Sequence, residues 1–183
     1  MYSPIAGASG WSSPQEGKGV DKKGVIKIIE EAVGEEIKAR DFYKSISAQL
    51  PDKGAQLKLD VMAKAEDEHR RILSAWYTKL AGKEYTPPTE KKEGYIKIEA
   101  PRRNARFLDI VKIIYEAEER AYQFYKDASD KAEDPEEKKT FLKLAQMEKG
   151  HEEHFREEYR TLAEDTSIRF ADEEIPWMIE AME

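Results

Sequence analysis

The sequence matches itself at an offset of 82 residues, and this internal match constrains the fold more than any other feature. Two of the chain's three histidines coincide in this way, and each follows a matched glutamate by three residues. Chance alignment of glutamate-rich helices does not explain that coincidence, so the match indicates either an internal duplication or a strong constraint toward pseudo-twofold symmetry. The matched pairs, found without a gap, include Glu36 and Glu118, Ala39 and Ala121, Phe42 and Phe124, Tyr43 and Tyr125, Asp52 and Asp134, Glu66 and Glu148, and His69 and His151.

Apolar residues recur at helical spacing in four segments, which are 21–50, 52–81, 104–132 and 134–165. Asp52 and Asn104 are predicted N-caps, Gly82 is a stop signal, and Asp134 with Pro135 is a strong helix start. The segment 82–103 contains too much proline and glycine to form a long helix. Two short turns and one long crossover connection therefore predict an all-α fold of two helical hairpins, connected as in ferritin-like four-helix bundles.

The two ends of the chain differ in character from the bundle. We expect residues 1–20, which are rich in glycine, serine and proline, to be a flexible N-terminal arm without the features of a secretory signal. Residues 166–183 form an apolar C-terminal tail, which we expect to pack on the bundle or on a partner. The predicted organisation is thus an arm, a bundle over 21–165 and a tail.

Composition excludes several classes of function. The chain has no cysteine, which rules out disulfides, thiolate metal sites, Fe–S clusters and cysteine nucleophiles. Its 38 acidic residues exceed its 31 basic residues, so its surface disfavours nucleic acid and anionic membranes. No apolar run is long enough to span a bilayer, and we expect a cytoplasmic protein. Any bound metal must be held by carboxylate or imidazole groups.

Each half of the repeat supplies one glutamate on its first helix and a Glu-x-x-His motif on its second. Residues at i and i+3 share one helical face, so the two motif side chains can reach one centre. All these positions lie within the apolar stripe, where unpaired carboxylates would be costly and two divalent cations would balance four negative charges. Mixed carboxylate and imidazole donors suit Fe, or Mn, better than Ca²⁺ or structural Zn²⁺. The predicted ligands are Glu36, Glu66, His69, Glu118, Glu148 and His151.

The motifs Glu-x-x-Ala-x-x-Phe-Tyr and Glu-x-x-His, each present twice, resemble the di-iron domain of the rubrerythrins over roughly residues 21–165. The resemblance implies a non-haem di-iron site that reduces hydrogen peroxide or oxygen, with the six residues as ligands and both histidines terminal. It implies that Tyr43 and Tyr125 orient the ligands by hydrogen bonding, although core packing explains these tyrosines equally well. Rubrerythrins tend to carry a further carboxylate where this chain has Ala121, and usually a cysteine-held iron centre. Electrons would therefore come from a separate protein, such as a rubredoxin-like donor, and a homodimer is expected.

Two other functions fit the same residues. One is a ferroxidase or iron storage or delivery protein, and the other is a bundle whose metal is only structural. His154 has no counterpart in the repeat and is predicted to be structural or exposed, while Trp76 is predicted to be core. Acidic neighbours of the ligands are predicted to be solvated, and these are Glu35, Asp67, Glu68, Glu119 and Glu152.

Overall fold

The computed structural model describes residues 20–87 and 106–164, which form four α-helices and contain no strand. They are α1 (Lys22–Ser47), α2 (Lys53–Ala81), α3 (Phe107–Lys131) and α4 (Pro135–Glu164). The predicted all-α fold is therefore confirmed. The predicted arm up to residue 19, the crossover from residue 88 and the tail lie outside the described residues. Over the ranges 20–87 and 106–164, no helix is long and apolar enough to cross a membrane.

The first hairpin begins and ends at the residues that the sequence marks. Asp21 caps α1, because its side chain accepts a hydrogen bond from the backbone N–H of Gly24 at 2.8 Å. Asp52 caps α2 through the N–H of Ala55 at 2.7 Å. Gly82 ends α2 in the left-handed conformation, with φ +70°, which glycine adopts without the steric penalty of a Cβ.

The second hairpin differs from its prediction at one end only. α4 begins at Pro135 as predicted. The side chain of Asp134 accepts hydrogen bonds from the backbone N–H groups of Glu136 and Glu137. α3 begins at Phe107, where the Asp109 carboxylate accepts from the backbone N–H of Arg106 at 3.1 Å. The predicted cap Asn104 lies outside the described residues.

The two hairpins pack with α1 antiparallel to α3. At one end, the backbone N–H of Val20, next to the start of α1, donates to the carbonyl of Lys131 at the end of α3 at 2.9 Å. In the middle, Tyr43 of α1 reaches Glu118 of α3, and Tyr125 of α3 reaches Glu36 of α1. This arrangement is what a pseudo-twofold axis perpendicular to the helices requires.

Two apolar clusters fill the bundle on either side of its middle. One surrounds Leu59 and Ile114, and the other surrounds Leu73 and Phe141. Burying a side chain of this size stabilises the fold by about 1.5–3 kcal/mol. Five of the six predicted ligands fall in the helical turns between the two clusters, and Glu118 lies at the edge of the first cluster, between Ala117 and Ala121. Apolar packing on both sides therefore surrounds the polar residues.

Candidate metal centre

The six side chains predicted as ligands come together in the centre of the bundle. Their glutamates come from all four helices, and each is at most 3% exposed. His69 is also buried, whereas His151 is half-buried. The repeat therefore places one glutamate from each first helix, and one glutamate with one histidine from each second helix, around a single centre.

The donor atoms form two adjoining groups of four, and Glu66, His69 and His151 also form a group of three across them. One group consists of Glu36, Glu66, His69 and Glu148, and the other replaces Glu36 and His69 by Glu118 and His151. Within each group all donor atoms lie within 4.8 Å of one another. Both groups use Glu66 and Glu148, so these two carboxylates lie between the two positions that cations would take. The pseudo-twofold symmetry of the sequence is repeated in the geometry.

Several donor atoms are close together without forming hydrogen bonds. Nδ1 of His69 lies 2.8 Å from Oε1 of Glu148 and 3.1 Å from Oε2 of Glu66. Nδ1 of His151 lies 3.4 Å from Oε2 of Glu148. Neither Nδ1 has hydrogen-bond geometry to any partner, and Oε1 of both Glu66 and Glu148 is also buried without one. Buried polar atoms are normally satisfied, and cations at the two positions would satisfy these, so the residues fit a pair of metal ions.

The carboxylates repel one another when no cation is present. Burial raises the pKa of Glu66 well above its usual range, and the charges of Glu118 and Glu148 raise it further. Burial likewise raises the pKa of Glu118 to about 7, against the lowering effect of His151. Two of the four carboxyls therefore hold protons near neutral pH more strongly than an ordinary glutamate does.

The histidines respond in the opposite way. Burial alone would lower the pKa of His69, but the surrounding carboxylates, chiefly Glu148, outweigh it and raise that pKa. Burial also opposes the charging of His151, but Glu118 and Glu148 raise its pKa to about 9. Burial alone would raise the pKa of Glu148, and the two histidines hold it below its usual range instead. In the metal-free protein, two imidazolium groups thus balance part of the carboxylate charge.

Two buried tyrosines connect the hairpins through the centre. The hydroxyl of Tyr43 donates to Oε1 of Glu118, and the hydroxyl of Tyr125 donates to Oε1 of Glu36. Burial, followed by the charge of Glu118, raises the pKa of Tyr43 well above its usual value, so this hydroxyl keeps its proton. The sequence left two roles open for these tyrosines, core packing and hydrogen bonding to the ligands. In the structure, each ring packs in the core and each hydroxyl donates to a glutamate.

A small cavity adjoins the carboxylates. Its other walls are the methyl groups of Ala39, Ala117 and Ala121 and the ring of Tyr43. Its volume of about 10 Å³ is close to the minimum that holds one water molecule. The cavity therefore has room for about one water-sized group beside the carboxylates.

The prediction that Glu35 and Glu152 are solvated is wrong. Their residues are 2% and 1% exposed, because cations on the same helix cover the carboxylates. Glu152 accepts hydrogen bonds from Lys149 and Arg156, and Glu35 accepts one from Lys38. Cations three or four residues away were visible in the sequence and are the signal that could have indicated paired carboxylates.

The remaining neighbours of the ligands follow the predictions more closely. The side chains of Glu68 and Glu119 are 58% and 59% exposed, and His154 is exposed as well. Asp67 is only partly exposed, because Arg70 donates to it at 2.9 Å. Trp76 was predicted to be core and lies partly buried at the edge of the core, with its ring 4.8 Å from that of Phe141.

Comparisons with known proteins agree with this architecture. The family model described as Rubrerythrin matches residues 27–159. A hypothetical protein from Pyrococcus furiosus has a similar structure, with a TM-score of 0.63 and 28% identity over 76% of this chain and 90% of that one. A two-domain protein from Anabaena variabilis, with DJ-1/ThiJ/PfpI-like and ferritin-like domains, gives a TM-score of 0.62 at 14% identity, covering 90% of this chain and 47% of its own. The second likeness shows the fold alone, and no curated protein matches the sequence significantly.

Proposed function

Since this chain belongs to the rubrerythrin family, we propose that it is a di-iron oxidoreductase that reduces hydrogen peroxide or oxygen with electrons from a separate protein. The observation that carries the proposal is the pair of adjoining four-donor groups that share Glu66 and Glu148. A single structural ion would need only one such group. Two adjacent redox-active ions are suited to a two-electron reduction of an O–O bond.

The donor groups support a proposed role for each ligand. Glu36 and His69 would hold one ion, Glu118 and His151 would hold the other, and Glu66 and Glu148 belong to both groups. Four carboxylates balance the charge of two divalent ions, which removes the penalty for burying the carboxylates unpaired. Iron is the proposed metal, and manganese suits the same donors.

When bound, the iron ions would supply the two electrons that cleave the O–O bond. The chain's own contribution begins with the small cavity beside the carboxylates, whose alanine walls leave no room for bulky molecules. Reduction of hydrogen peroxide to two water molecules also consumes two protons. Tyr43 holds a proton at its hydroxyl oxygen on the cavity wall and orients Glu118 by donating to it.

The electrons that restore the ferrous state would come from outside the chain. The sequence has no cysteine, so it carries no thiolate-held iron centre of its own. A small one-electron carrier, such as a rubredoxin-like protein, is the proposed donor. Two such transfers would return the centre to the state that reacts with the oxidant.

Anaerobic titration with Fe²⁺, followed by hydrogen peroxide, tests the proposal. We expect binding to saturate near two iron ions per chain, and one peroxide to oxidise both, with rapid growth of near-ultraviolet absorption from ferric iron. Glu66→Gln should reduce binding strongly, since both donor groups lose a shared carboxylate. Glu68→Gln, two residues away on the exposed face, is the matched control and should behave like the wild type.

Other outcomes would favour other functions. Retention of many iron ions per chain, with oxygen as the preferred oxidant, would favour ferroxidase and storage activity. Two bound ions that do not respond to oxidants would indicate a structural site. Failure of Fe²⁺ to bind, or equal binding by the Glu66→Gln variant, would contradict the ligand assignment itself.

A further inference from the structure

The two histidines of the centre differ in their access to solvent. The side chain of His69 is 0% exposed, and that of His151 is 20% exposed. All four residues of the donor group that contains His69 are buried. In the other group, three residues are buried and His151 is half-buried. Because the repeat makes the two groups equivalent in their ligands, the difference comes from the residues packed around them.

The residues that follow the two histidines in the sequence also differ in charge. Arg70 and Arg71 follow His69, whereas Glu152 and Glu153 follow His151 at the same places in the repeat. The side chains of Arg71 and Glu153 are 65% and 66% exposed. Both exposed groups are paired along their own helices, Arg71 with Asp67 and Glu153 with Lys149, so the difference in access rests on the exposure of the two histidines themselves.

On the basis of the proposed two-metal centre, we infer that metal ions enter and leave the bundle at the His151 side. An imidazole in contact with water can bind an ion that still keeps part of its hydration shell, which gives the site the access path that metal binding needs. The ion held by Glu118 and His151 then exchanges with solvent. The ion held by Glu36 and His69 leaves only when the helices open locally, which is a rarer event in a packed core.

Release of Co²⁺ to a chelator tests this inference without any redox chemistry. The protein is loaded with two equivalents of Co²⁺, mixed rapidly with excess EDTA, and followed by the visible absorption of bound Co²⁺. We expect two phases of equal amplitude, with the second at least about tenfold slower than the first, since about 1.4 kcal/mol of local opening changes a rate by that factor. Release of both ions in a single phase would overturn the inference, and this result does not depend on any variant.

Histidine variants assign the two phases to the two sides. His151→Asn should retain one ion that leaves slowly, and His69→Asn should retain one ion that leaves rapidly. His154→Asn, which changes an exposed histidine one turn from His151, is the control and should preserve both phases. If the ion retained by His151→Asn is the fast one, the assignment is reversed and the inference is wrong.

The same experiment separates this inference from the proposed function. If the wild-type protein binds no Co²⁺ and no Fe²⁺, the two-metal centre itself is refuted. If it binds two ions and releases both at one rate, the centre stands and only the difference in access is refuted.

Discussion

Metal binding should release protons, and the number of protons follows from the centre. In the metal-free protein the pKa of His69 is raised, and that of His151 is raised to about 9, so both imidazoles are protonated at pH 7. Each must lose its proton before it can bind a cation. Glu118, with a pKa of about 7, and Glu66, whose pKa burial raises well above its usual range, add to this number. We therefore expect at least about two protons to be released when both sites fill at pH 7.

This proton release determines how metal affinity depends on pH. With two protons displaced, the product of the two binding constants should rise about 100-fold per pH unit near neutrality, which corresponds to about 2.7 kcal/mol per unit. The metal-free fold should show the opposite trend. The folded pKa of His151 lies above its unfolded value, so its stabilising contribution is complete below about pH 6.5 and is lost as the pH rises through about 9.

Calorimetric titration with Co²⁺ in two buffers of different ionisation enthalpy measures the proton count directly. His151→Ala should lower the count by about one, while His154→Ala, outside the centre, should leave it unchanged. Thermal unfolding with and without metal at pH 6 and pH 8 provides an independent check, because the stabilisation by metal should be larger at pH 8. Release of fewer than one proton at pH 7 would refute the argument, since the histidines would then be neutral before metal binds.

Three further substitutions test separate parts of the structure. Tyr125→Phe should weaken metal binding about 10–100-fold, because the carboxylate of Glu36 loses the hydrogen bond that orients it. Metal titration measures the affinity, and circular dichroism should show little change in the fold. Glu152→Gln should lower the free energy of unfolding in urea by about 1.5–3 kcal/mol, while the exposed Glu153→Gln should change it by less than about 0.5 kcal/mol. Gly24→Ala should destabilise the fold by about 1–2 kcal/mol, because its Cβ would lie 2.3 Å from a side-chain carbon of the preceding segment. Gly150→Ala meets nothing within 4 Å and should stabilise α4 by about 0.5–1 kcal/mol; equal effects of the two glycine changes would contradict this packing argument.

The sequence predicted which six side chains meet in the centre of the bundle, because the repeat compares each residue with a second copy. A single Glu-x-x-His motif on a helix is common and indicates little by itself. Chance does not easily explain two such motifs at the repeat offset, Glu66 with His69 and Glu148 with His151. Helix ends were also predictable where a local hydrogen bond determines them, as at Asp52. The information for such a helix end lies within a few residues of the chain, whereas the repeat compares positions 82 residues apart.

Features that depend on packing between helices were harder to predict. The burial of Glu152 depends on how Lys149 and Arg156 cover it, and helical periodicity alone does not specify that covering. The bond from Tyr43 to Glu118 requires α1 and α3 to be antiparallel at one register, which no local pattern encodes. The difference in exposure between the two histidines has the same origin, since their sequence motifs are identical.

The crossed tyrosine bonds have a consequence for how the two halves evolve. Each bond joins a tyrosine of one half to a glutamate of the other, so neither half contains a complete pair by itself. After a duplication, copies are usually free to diverge, but here a change in one copy removes the partner of a residue in the other. The middle turns of the two halves can therefore change only together, whereas exposed positions that differ between the halves, such as Arg71 and Glu153, carry no such bond from one half to the other.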